Sequence, residues 1–155
     1  MIVKYIKGSI LDAKQKYIAH GVNAQNRMGS GVAKVLYEKY PDVKRLYHKD
    51  CRYRESKNCP SHKYLGHWYF GYGNEDTGEL IINIYTQEYY GYDSKKYVSY
   101  DAIYKAFNNL ANQEWCKEIA IPKIGAGLAG GNWEVISQII DDATGDDLDV
   151  YVYYL

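Results

Sequence analysis

The chain lacks any long apolar run and contains few cysteines. No stretch approaches the ~18 consecutive apolar residues of a membrane-spanning helix. Residues 1–7 enter an apolar strand without the basic region, apolar core and small-residue cleavage site of a signal peptide. Three cysteines, an odd number, indicate reduced thiols rather than a disulfide framework. We therefore expect a cytoplasmic protein.

An excess of either charge is also absent, since 19 basic side chains balance 19 acidic ones. The net charge therefore argues neither for nor against a polyanionic partner. Residues 34–63 carry nine Lys or Arg and four Asp or Glu, an excess that either steers phosphate groups or belongs to a solvated helix face. We expect no stable binding to nucleic acid and no membrane partner.

The size and composition of the chain predict one folded domain. Its 155 residues are 46% hydrophobic and 25% charged, which excludes disordered and collagen-like classes. Strands are predicted at residues 2–6, 17–23, 118–122 and 150–155, and a hairpin at 65–72 and 79–86. Helices are predicted from Gly29 to Pro41, at 99–115 with Ser99 as N-cap, and at 132–143. Residues 42–63 read as a short helix followed by an irregular loop.

Alternation of strands and helices predicts an α/β fold with three layers, in which helices cover both faces of a central sheet. The hairpin makes the sheet mixed rather than wholly parallel. Ligands in such folds collect beyond the carboxyl ends of the strands. Both glycine-rich segments of the chain follow predicted strands, so we expect them to form one ligand site.

The first of these segments, HGVNAQNRMGSGVAK at residues 20–34, runs from a strand across a glycine turn into a helix. Gly29 and Gly31 allow the backbone to approach a ligand, and the start of a helix offers free N–H groups to an anion. Asn23 and Asn26 add amide groups that can bind sugar hydroxyls.

The second segment, PKIGAGLAGGNW at residues 122–133, also lies between a buried strand and a helix. Its four glycines within seven positions exceed the need of a tight turn and indicate backbone amides wrapped around a phosphate. A flexible connector without a ligand is the alternative.

In these two segments the chain resembles the macrodomain family. VNAQN with MGSGVA resembles the first ligand loop of macrodomains, and IPKIGAGLAGGNW is similar to their phosphate-enclosing loop. The similarity runs from KYIKGSI to the closing VYVYYL, which implies a single macrodomain over residues 1–155. Within the family the chain most resembles the branch of terminal ADP-ribose protein glycohydrolases and ADP-ribose 1″-phosphate phosphatases.

The resemblance implies a role for each matching residue. Ser9 and Ile10 would lie beside adenine, and Asn23 and Asn26 would face the distal ribose, with Thr86 and Gln87 near the same end. The residues that would enclose the diphosphate are Gly29, Ser30, Gly31, Val32, Gly125, Ala126, Gly127, Leu128 and Ala129. No cofactor or metal ion is implied, and we expect a monomer.

The chain departs from the family pattern at three positions. Many macrodomains have an aspartate at the position of Ser9, so adenine selectivity is expected to be weaker here. Glycohydrolases of this branch use a lysine and an aspartate where this chain has Gln87 and Ala129. The chain therefore lacks the amine and the carboxylate that their mechanism requires.

Hydrolysis of a terminal phosphate needs mainly positioning, hydrogen-bond donors and an oriented water. His20 is the nearby side chain whose charge we expect to change close to neutral pH. We assign His20 as candidate general acid or base and Asn26 as the residue that positions ribose and water. A buried histidine bonded to the backbone is the alternative for His20. At the level of function, the alternatives are a non-catalytic ADP-ribose-binding module and a de-ADP-ribosylating hydrolase.

Two further patterns leave their function open. His48, Cys51, Cys59 and His62 have ligand types that zinc accepts, although the central spacing is short and a surface loop is the better interpretation. The chain has 19 tyrosines. Those that cluster after the fourth strand, either as an aromatic flap over the ligand or as ordinary half-buried residues, are Tyr89, Tyr90, Tyr92, Tyr97 and Tyr100.

Overall fold

A computed structural model of the protein describes residues 1–91, 96–127 and 129–155. The strands are β1 (Ile2–Lys7), β2 (Tyr17–Asn23), β3 (Trp68–Gly73), β4 (Leu80–Gln87), β5 (Glu118–Ile121) and β6 (Asp149–Tyr154). The helices are α1 (Gly31–Lys39), α2 (Asp42–Ser56), α3 (Tyr100–Ala111) and α4 (Trp133–Thr144). Each predicted strand and helix is therefore confirmed, with ends that differ by a few residues.

The six strands form one mixed sheet in the order β1-β6-β5-β2-β4-β3. The predicted hairpin is confirmed, because β3 pairs antiparallel with β4. The other neighbouring strands are parallel. The carboxyl ends of β5, β2 and β4 therefore meet at one edge of the sheet, where the two glycine-rich segments begin.

Helices cover both faces of the sheet, which confirms the three-layer α/β/α fold. On one face, Phe107 of α3 and Ile140 of α4 pack onto Ile82 and Ile119 of the sheet. On the other face, Leu36 of α1 and residues of α2 pack onto side chains such as Ile18 and Ile81. Across the described ranges, no helix has the length and apolar character needed to cross a membrane.

The helix α2 is longer than the short helix predicted at the start of residues 42–63. It has 15 residues, Asp42–Ser56, and buries only a narrow stripe that includes Val43, Tyr47 and Cys51. These three residues are four positions apart, which is helical spacing. The remaining faces are polar and hid the period in the sequence, although the buried stripe holds the helix on the sheet.

The predicted cap of α3 is confirmed. Ser99 has an extended backbone and its side chain accepts a hydrogen bond from the Ala102 N–H at 3.1 Å. The Ser99 N–H also donates to the Thr86 carbonyl at 2.7 Å. The start of α3 is thereby attached to the end of β4.

Candidate functional site

A cleft of about 600 Å³ opens at the carboxyl ends of β2, β4 and β5. We call residues 24–30, between β2 and α1, the first loop, and residues 122–132, between β5 and α4, the second loop. These are the two segments predicted to bind a ligand. The described residues that line the cleft are His20, Gly21, Val22, Asn23, Arg27, Met28, Gly29, Ser30, Gly31, Val32, Ala33, Thr86, Gln87, Tyr90, Gly91, Pro122, Lys123, Ile124, Gly125, Gly127 and Ala129.

The cleft brings together most of the site residues predicted from the sequence. Those that line it are His20, Asn23, Gly29, Ser30, Gly31, Val32, Thr86, Gln87, Gly125, Gly127 and Ala129. Asn26 and Ala126 are not among the lining residues. Leu128 lies outside the described residues, so its role stays a prediction.

The two residues predicted to lie beside adenine, Ser9 and Ile10, also do not line the cleft. The Ser9 side chain accepts a hydrogen bond from the Leu11 N–H at 3.1 Å and caps a short turn of 3-10 helix. Ile10 is 6% exposed and belongs to the core. Ser9 follows β1, which is separated from β5 by β6 in the sheet, so these residues lie beyond one end of the cleft.

The side chain of Asn23 shapes the first loop. Its Nδ2 donates to the Arg27 carbonyl at 2.7 Å, and its Oδ1 accepts from the Gln25 N–H at 3.0 Å. The buried Tyr47 hydroxyl, on α2, lies 2.9 Å from the same Oδ1 and accepts from the Arg27 N–H at 3.0 Å. Asn23 therefore uses its amide to hold the loop in place, a role that the sequence did not reveal.

Asn26 is held by α2 rather than directed into the cleft. It has a φ of 60°, the left-handed region that asparagine tolerates better than most residues. Its Oδ1 lies 2.5 Å from His48 Nδ1. Burial, followed by the positive charges of Lys44, Arg52 and Arg27, lowers the pKa of His48. The neutral His48 can donate from Nδ1 and anchor the first loop to α2.

The first residues of α1 line the cleft, and their backbone N–H groups have no hydrogen-bond acceptor among the described residues. Its N-cap, Ser30, makes no capping hydrogen bond through its side chain. In contrast, Ser99 and Asn132 cap α3 and α4 through their side chains. The first N–H groups of a helix have no partner within the helix and attract an anion. The glycine loop and helix start thus have the arrangement expected of a phosphate site.

The second loop is folded tightly on itself and on the segment before α3. The Gly131 N–H donates to the Gly125 carbonyl at 2.7 Å. The Ala129 carbonyl accepts from the N–H groups of Tyr97 and Val98 at 2.7 and 3.1 Å. Gly125 has a φ of +78°, which favours glycine at this position. These contacts fix the loop beside the cleft.

The glycines of the second loop serve two different purposes. A Cβ on Gly131 would lie 2.6 Å from the Gly125 carbonyl oxygen, and a Cβ on Gly125 would lie 2.7 Å from Val98. Neither position has space for a side chain. A Cβ on Gly127 would meet nothing within 4 Å. Gly127 therefore borders open space in the cleft, where a ligand can approach the backbone.

His20 lies in β2 and is 1% exposed. Its Nε2 is 2.5 Å from Oδ1 of Asn83, the residue opposite it on β4. The Nδ2 of Asn83 donates to the Val43 carbonyl and the Tyr69 hydroxyl at 3.3 and 3.2 Å, which orients the amide. His20 Nε2 consequently carries the proton, and Nδ1 keeps a bare lone pair.

The expectation that His20 changes charge near neutral pH is wrong. Burial lowers the pKa of His20 from 6.5 to about 4, and the hydrogen bond to Asn83 offsets only part of that effect. The imidazole is therefore neutral at pH 7. Its Nδ1 is buried and has no hydrogen-bond partner among the described residues. An unpaired buried acceptor raises the free energy of the fold, and a bound ligand or water that donates to it would relieve this cost.

The charges that line the cleft are positive. Arg27 on the first loop and Lys123 on the second loop are cationic, and no described lining residue is an aspartate or glutamate. Such a cleft attracts anions. Neither residue was predicted from the sequence, although each lies within a glycine-rich segment just beyond a strand.

One of the clustered tyrosines lines the cleft. Tyr90 borders it, and its backbone N–H donates to Gln25 Oε1 at 3.0 Å, which joins the segment after β4 to the first loop. Tyr100 instead accepts a hydrogen bond from the Asn132 N–H at 3.1 Å. Tyr92 lies outside the described residues. The aromatic flap is therefore supported at Tyr90.

The four residues considered as zinc ligands have separate surroundings. His48 binds Asn26, and Cys51 is fully buried with its Sγ 3.3 Å from the Tyr85 hydroxyl. Cys59 Sγ lies 3.7 Å from the Pro60 carbonyl, and His62 lies in the turn that follows. In the ranges that the structure describes, no three His, Cys, Asp or Glu side chains form a group suited to a metal ion. A zinc site here has no structural support.

Comparison with known proteins gives matches over most of the chain. The Macro domain family matches residues 19–140. An uncharacterized 17.5 kDa protein of Enterobacteria phage T4 is 32% identical over 147 residues, covering 91% of this chain and 89% of that protein. An ADP-ribose 1″-phosphate phosphatase of Lodderomyces elongisporus is 26% identical and covers 98% of this chain and 99% of its own. A DNA ADP-ribosyl glycohydrolase of Mycobacterium bovis is 26% identical over 98% of this chain but only 42% of its own length.

Proposed function

Because the chain belongs to the macrodomain family, we propose that it binds ADP-ribose 1″-phosphate and hydrolyses it to ADP-ribose and inorganic phosphate. The observation that carries this proposal is the cleft between two glycine-rich loops, whose described lining residues include two cations and no acid. A phosphatase of this name matches 98% of the chain, which supports the same substrate.

The diphosphate of the ligand fits between the two loops. The free N–H groups at the start of α1 face it from one side, and the second loop with Gly127 encloses it from the other. The distal ribose then lies over the ends of β2 and β4, near Thr86 and Gln87. In the opposite direction the adenine extends past β6 toward Ser9 and Ile10, where the nucleotide would leave the cleft.

The proposed reaction breaks one P–O bond. A water oxygen attacks the terminal phosphorus and the bond from phosphorus to the ribose 1″ oxygen breaks. One proton of the water passes to the leaving ribose oxygen, and the other stays on the released phosphate. Backbone N–H groups of the two loops stabilise the negative charge on the phosphoryl oxygens. His20 is a weak base because of its low pKa. We assign it the role of accepting a hydrogen bond at Nδ1 from water and thereby orienting that water.

Asn26 contributes indirectly in this proposal. Its side chain is bound to His48 and does not line the cleft. It therefore positions ribose and water by fixing the first loop. Replacement of Asn26 should loosen the loop rather than remove a direct contact with the substrate.

A de-ADP-ribosylating hydrolase is the main catalytic rival. The Mycobacterium bovis relative bears such a name, although this chain spans less than half of its length. Gln87 and Ala129 line the cleft. The glycohydrolases that the chain resembles use a lysine and an aspartate at these two positions. These two positions therefore carry neither the amine nor the carboxylate of that mechanism, which favours the phosphatase.

The test is phosphate release from ADP-ribose 1″-phosphate by the purified protein, with and without a chelator. Calorimetric titration of ADP-ribose and incubation with ADP-ribosylated protein and DNA accompany it. Phosphate release that survives the chelator is the expected result. Binding without release would make the protein a non-catalytic ADP-ribose module, and removal of ADP-ribose from an acceptor would establish the rival hydrolase. Absence of both binding and turnover would refute the proposal.

A further inference from the structure

We propose that Arg27 binds the terminal phosphate of the substrate and sets the preference for phosphorylated over unphosphorylated ADP-ribose. This inference rests on the proposed function, because it concerns the same cleft and the same ligand. The sequence pattern predicts no role for Arg27. Its placement in the cleft comes from the tertiary structure.

The backbone of Arg27 is held at both of its polar groups. Its N–H donates to the Tyr47 hydroxyl at 3.0 Å, and its carbonyl accepts from Asn23 Nδ2 at 2.7 Å. Tyr47 is fully buried on α2. The Cα of Arg27 is therefore fixed relative to the sheet, and its side chain starts from a defined point at the rim of the cleft.

The side chain of Arg27, unlike its backbone, is not engaged. It is exposed and borders the cleft. Within the described part of the chain, its guanidinium has no hydrogen bond, ion pair or ring contact. Arg54, for comparison, is paired with Asp50 at 2.8 Å and stacked on tyrosine rings. A fixed backbone with a free guanidinium, in a cleft whose described lining residues include no acid, is suited to bind an anionic ligand group.

Arg27 and Lys123 follow two neighbouring strands, β2 and β5, on different sides of the cleft. Lys123 follows β5 and its Nζ is 5.5 Å from the ring of Tyr154, at the end of β6. Arg27 follows β2, and its charge contributes to the lowered pKa of His48 on α2, after burial and two other cations. In the sheet order β6-β5-β2-β4, Lys123 is therefore on the side of β6 and Arg27 is on the side of β4. Arg27 therefore serves the end over β2 and β4, where Thr86 and Gln87 also lie.

The chemistry of the substrate matches this placement. ADP-ribose 1″-phosphate carries a diphosphate in its middle and a phosphate monoester at the ribose end. The amides of the two loops account for the diphosphate, and the monoester needs separate donors. The planar guanidinium of arginine binds two phosphate oxygens at once, which a lysine does not. Arg27 distinguishes the substrate from ADP-ribose, which lacks the monoester.

The experiment compares Arg27→Gln, Arg27→Lys and the matched control Lys123→Gln with the unaltered protein. For each, phosphate release gives kcat/KM for ADP-ribose 1″-phosphate, and ADP-ribose is measured as a competitive inhibitor. Arg27→Gln should lower kcat/KM about 10- to 100-fold, as expected for lost hydrogen bonds to a charged group, and change ADP-ribose inhibition less than about threefold. Arg27→Lys should recover part of the loss. Lys123→Gln should change the preference for ADP-ribose 1″-phosphate over ADP-ribose, measured by kcat/KM and the inhibition constant, by less than about threefold.

An equal loss for both ligands in Arg27→Gln, or no loss for either, would overturn the proposal. Thermal unfolding of each variant separates these outcomes from a folding defect, and the exposed guanidinium predicts unchanged midpoints. If the unaltered protein releases no phosphate, calorimetry of both ligands with the same variants still measures the preference. The proposed role of Arg27 then fails only if Arg27→Gln leaves the ratio of the affinities for ADP-ribose 1″-phosphate and ADP-ribose unchanged. The proposed hydrolysis, in contrast, fails if the unaltered protein shows no turnover.

Discussion

The environment of His20 illustrates how one buried side chain acquires its protonation state. Asn83 bonds to Nε2, and the Val43 carbonyl and Tyr69 hydroxyl determine which end of the Asn83 amide faces His20. Burial outweighs that bond and lowers the pKa of His20 to about 4. The residue is thus a neutral acceptor at its buried Nδ1, and its low pKa affects the stability of the protein as well as its chemistry.

We predict that His20 makes the fold less stable in mild acid. The unfolded chain protonates His20 near its ordinary pKa of 6.5, whereas the folded chain resists protonation down to about 4. Stability therefore begins to fall as the pH drops through 6.5 and the loss levels off below about 4. From about pH 7 to about pH 5, the contribution of this residue is about 2 kcal/mol.

Urea unfolding at several pH values measures this effect. His20→Gln has no titrating group at this position, so its free energy of unfolding should change with pH by about 2 kcal/mol less. Burial also lowers the pKa of His48 and His67, but both histidines are present in the two proteins compared. The same variant should turn over more slowly and keep most of its ADP-ribose affinity. A parallel pH dependence of the two proteins would contradict the assigned pKa shift.

At the scale of elements, each loop of the cleft is held by a different neighbour. The first loop is bound to α2 through Tyr47 and His48. The second loop is bound to the start of α3 through Tyr97 and Val98. The sheet fixes both helices, so the loops keep their separation and the cleft exists before a ligand binds. Preformed sites of this kind spend less free energy on ordering when they bind.

Removal of one hydroxyl tests the attachment of the first loop. Tyr47→Phe removes the shorter hydrogen bond of the Arg27 N–H and leaves the 3.4 Å bond to Asn23 Oδ1, which should cost about 1 kcal/mol of stability. It should also lower ADP-ribose affinity about tenfold, because the loop is no longer preorganised. Tyr40→Phe is the control, since the Tyr40 hydroxyl donates to Glu79 at 2.7 Å and not to the first loop. Calorimetry should find its affinity unchanged. Equal affinities for the two variants would exclude this role of Tyr47.

Two glycine substitutions separate binding from folding in the second loop. Gly127 has neither a positive φ nor an atom near its missing Cβ, so Gly127→Val should fold normally and abolish ADP-ribose binding. Gly131→Ala forces a Cβ against the Gly125 carbonyl and should destabilise the protein by about 1–3 kcal/mol. Calorimetry and thermal unfolding measure the two effects. Retained affinity in Gly127→Val would reject the phosphate role of this loop.

At the scale of the whole molecule, ligand affinity and stability are linked through the sheet. The cleft depends on the ends of β2, β4 and β5, which are also central strands of the sheet. A ligand that binds only the folded chain stabilises it by mass action. A single domain over residues 1–155 and a monomeric state in solution remain predictions. Unfolding and sedimentation with and without ligand test both.

ADP-ribose at about 100 times its dissociation constant should raise the free energy of unfolding by about 2.7 kcal/mol. For a protein of this size the unfolding midpoint should rise by about 5–10 °C in a single transition. Gly127→Val should show no rise. Sedimentation should give one species of 17.9 kDa with and without ligand. Two transitions would contradict a single domain, and a larger species would contradict the monomer.

The elements, the three-layer fold and the two loops follow from the sequence, because they depend on local features. Hydrophobic periodicity marks helices such as α3, and the glycines of both loops follow strands that end at one edge of a parallel arrangement. The resemblance to macrodomains, carried by the same loops, added the ligand. Only α2 was read too short, since its buried stripe is narrow among polar residues.

The tertiary structure alone decided what the individual side chains of the site do. The side chains of Asn23 and Asn26 are hydrogen-bonded to Tyr47 and His48, which lie more than twenty positions away in the chain. His20 is neutral because it is buried beside Asn83 of β4. The backbone of Arg27 is held by Asn23 and Tyr47, whereas its guanidinium has no partner among the described residues. Burial and hydrogen bonding are set by groups that folding brings together from distant parts of the chain. A local sequence pattern does not contain them.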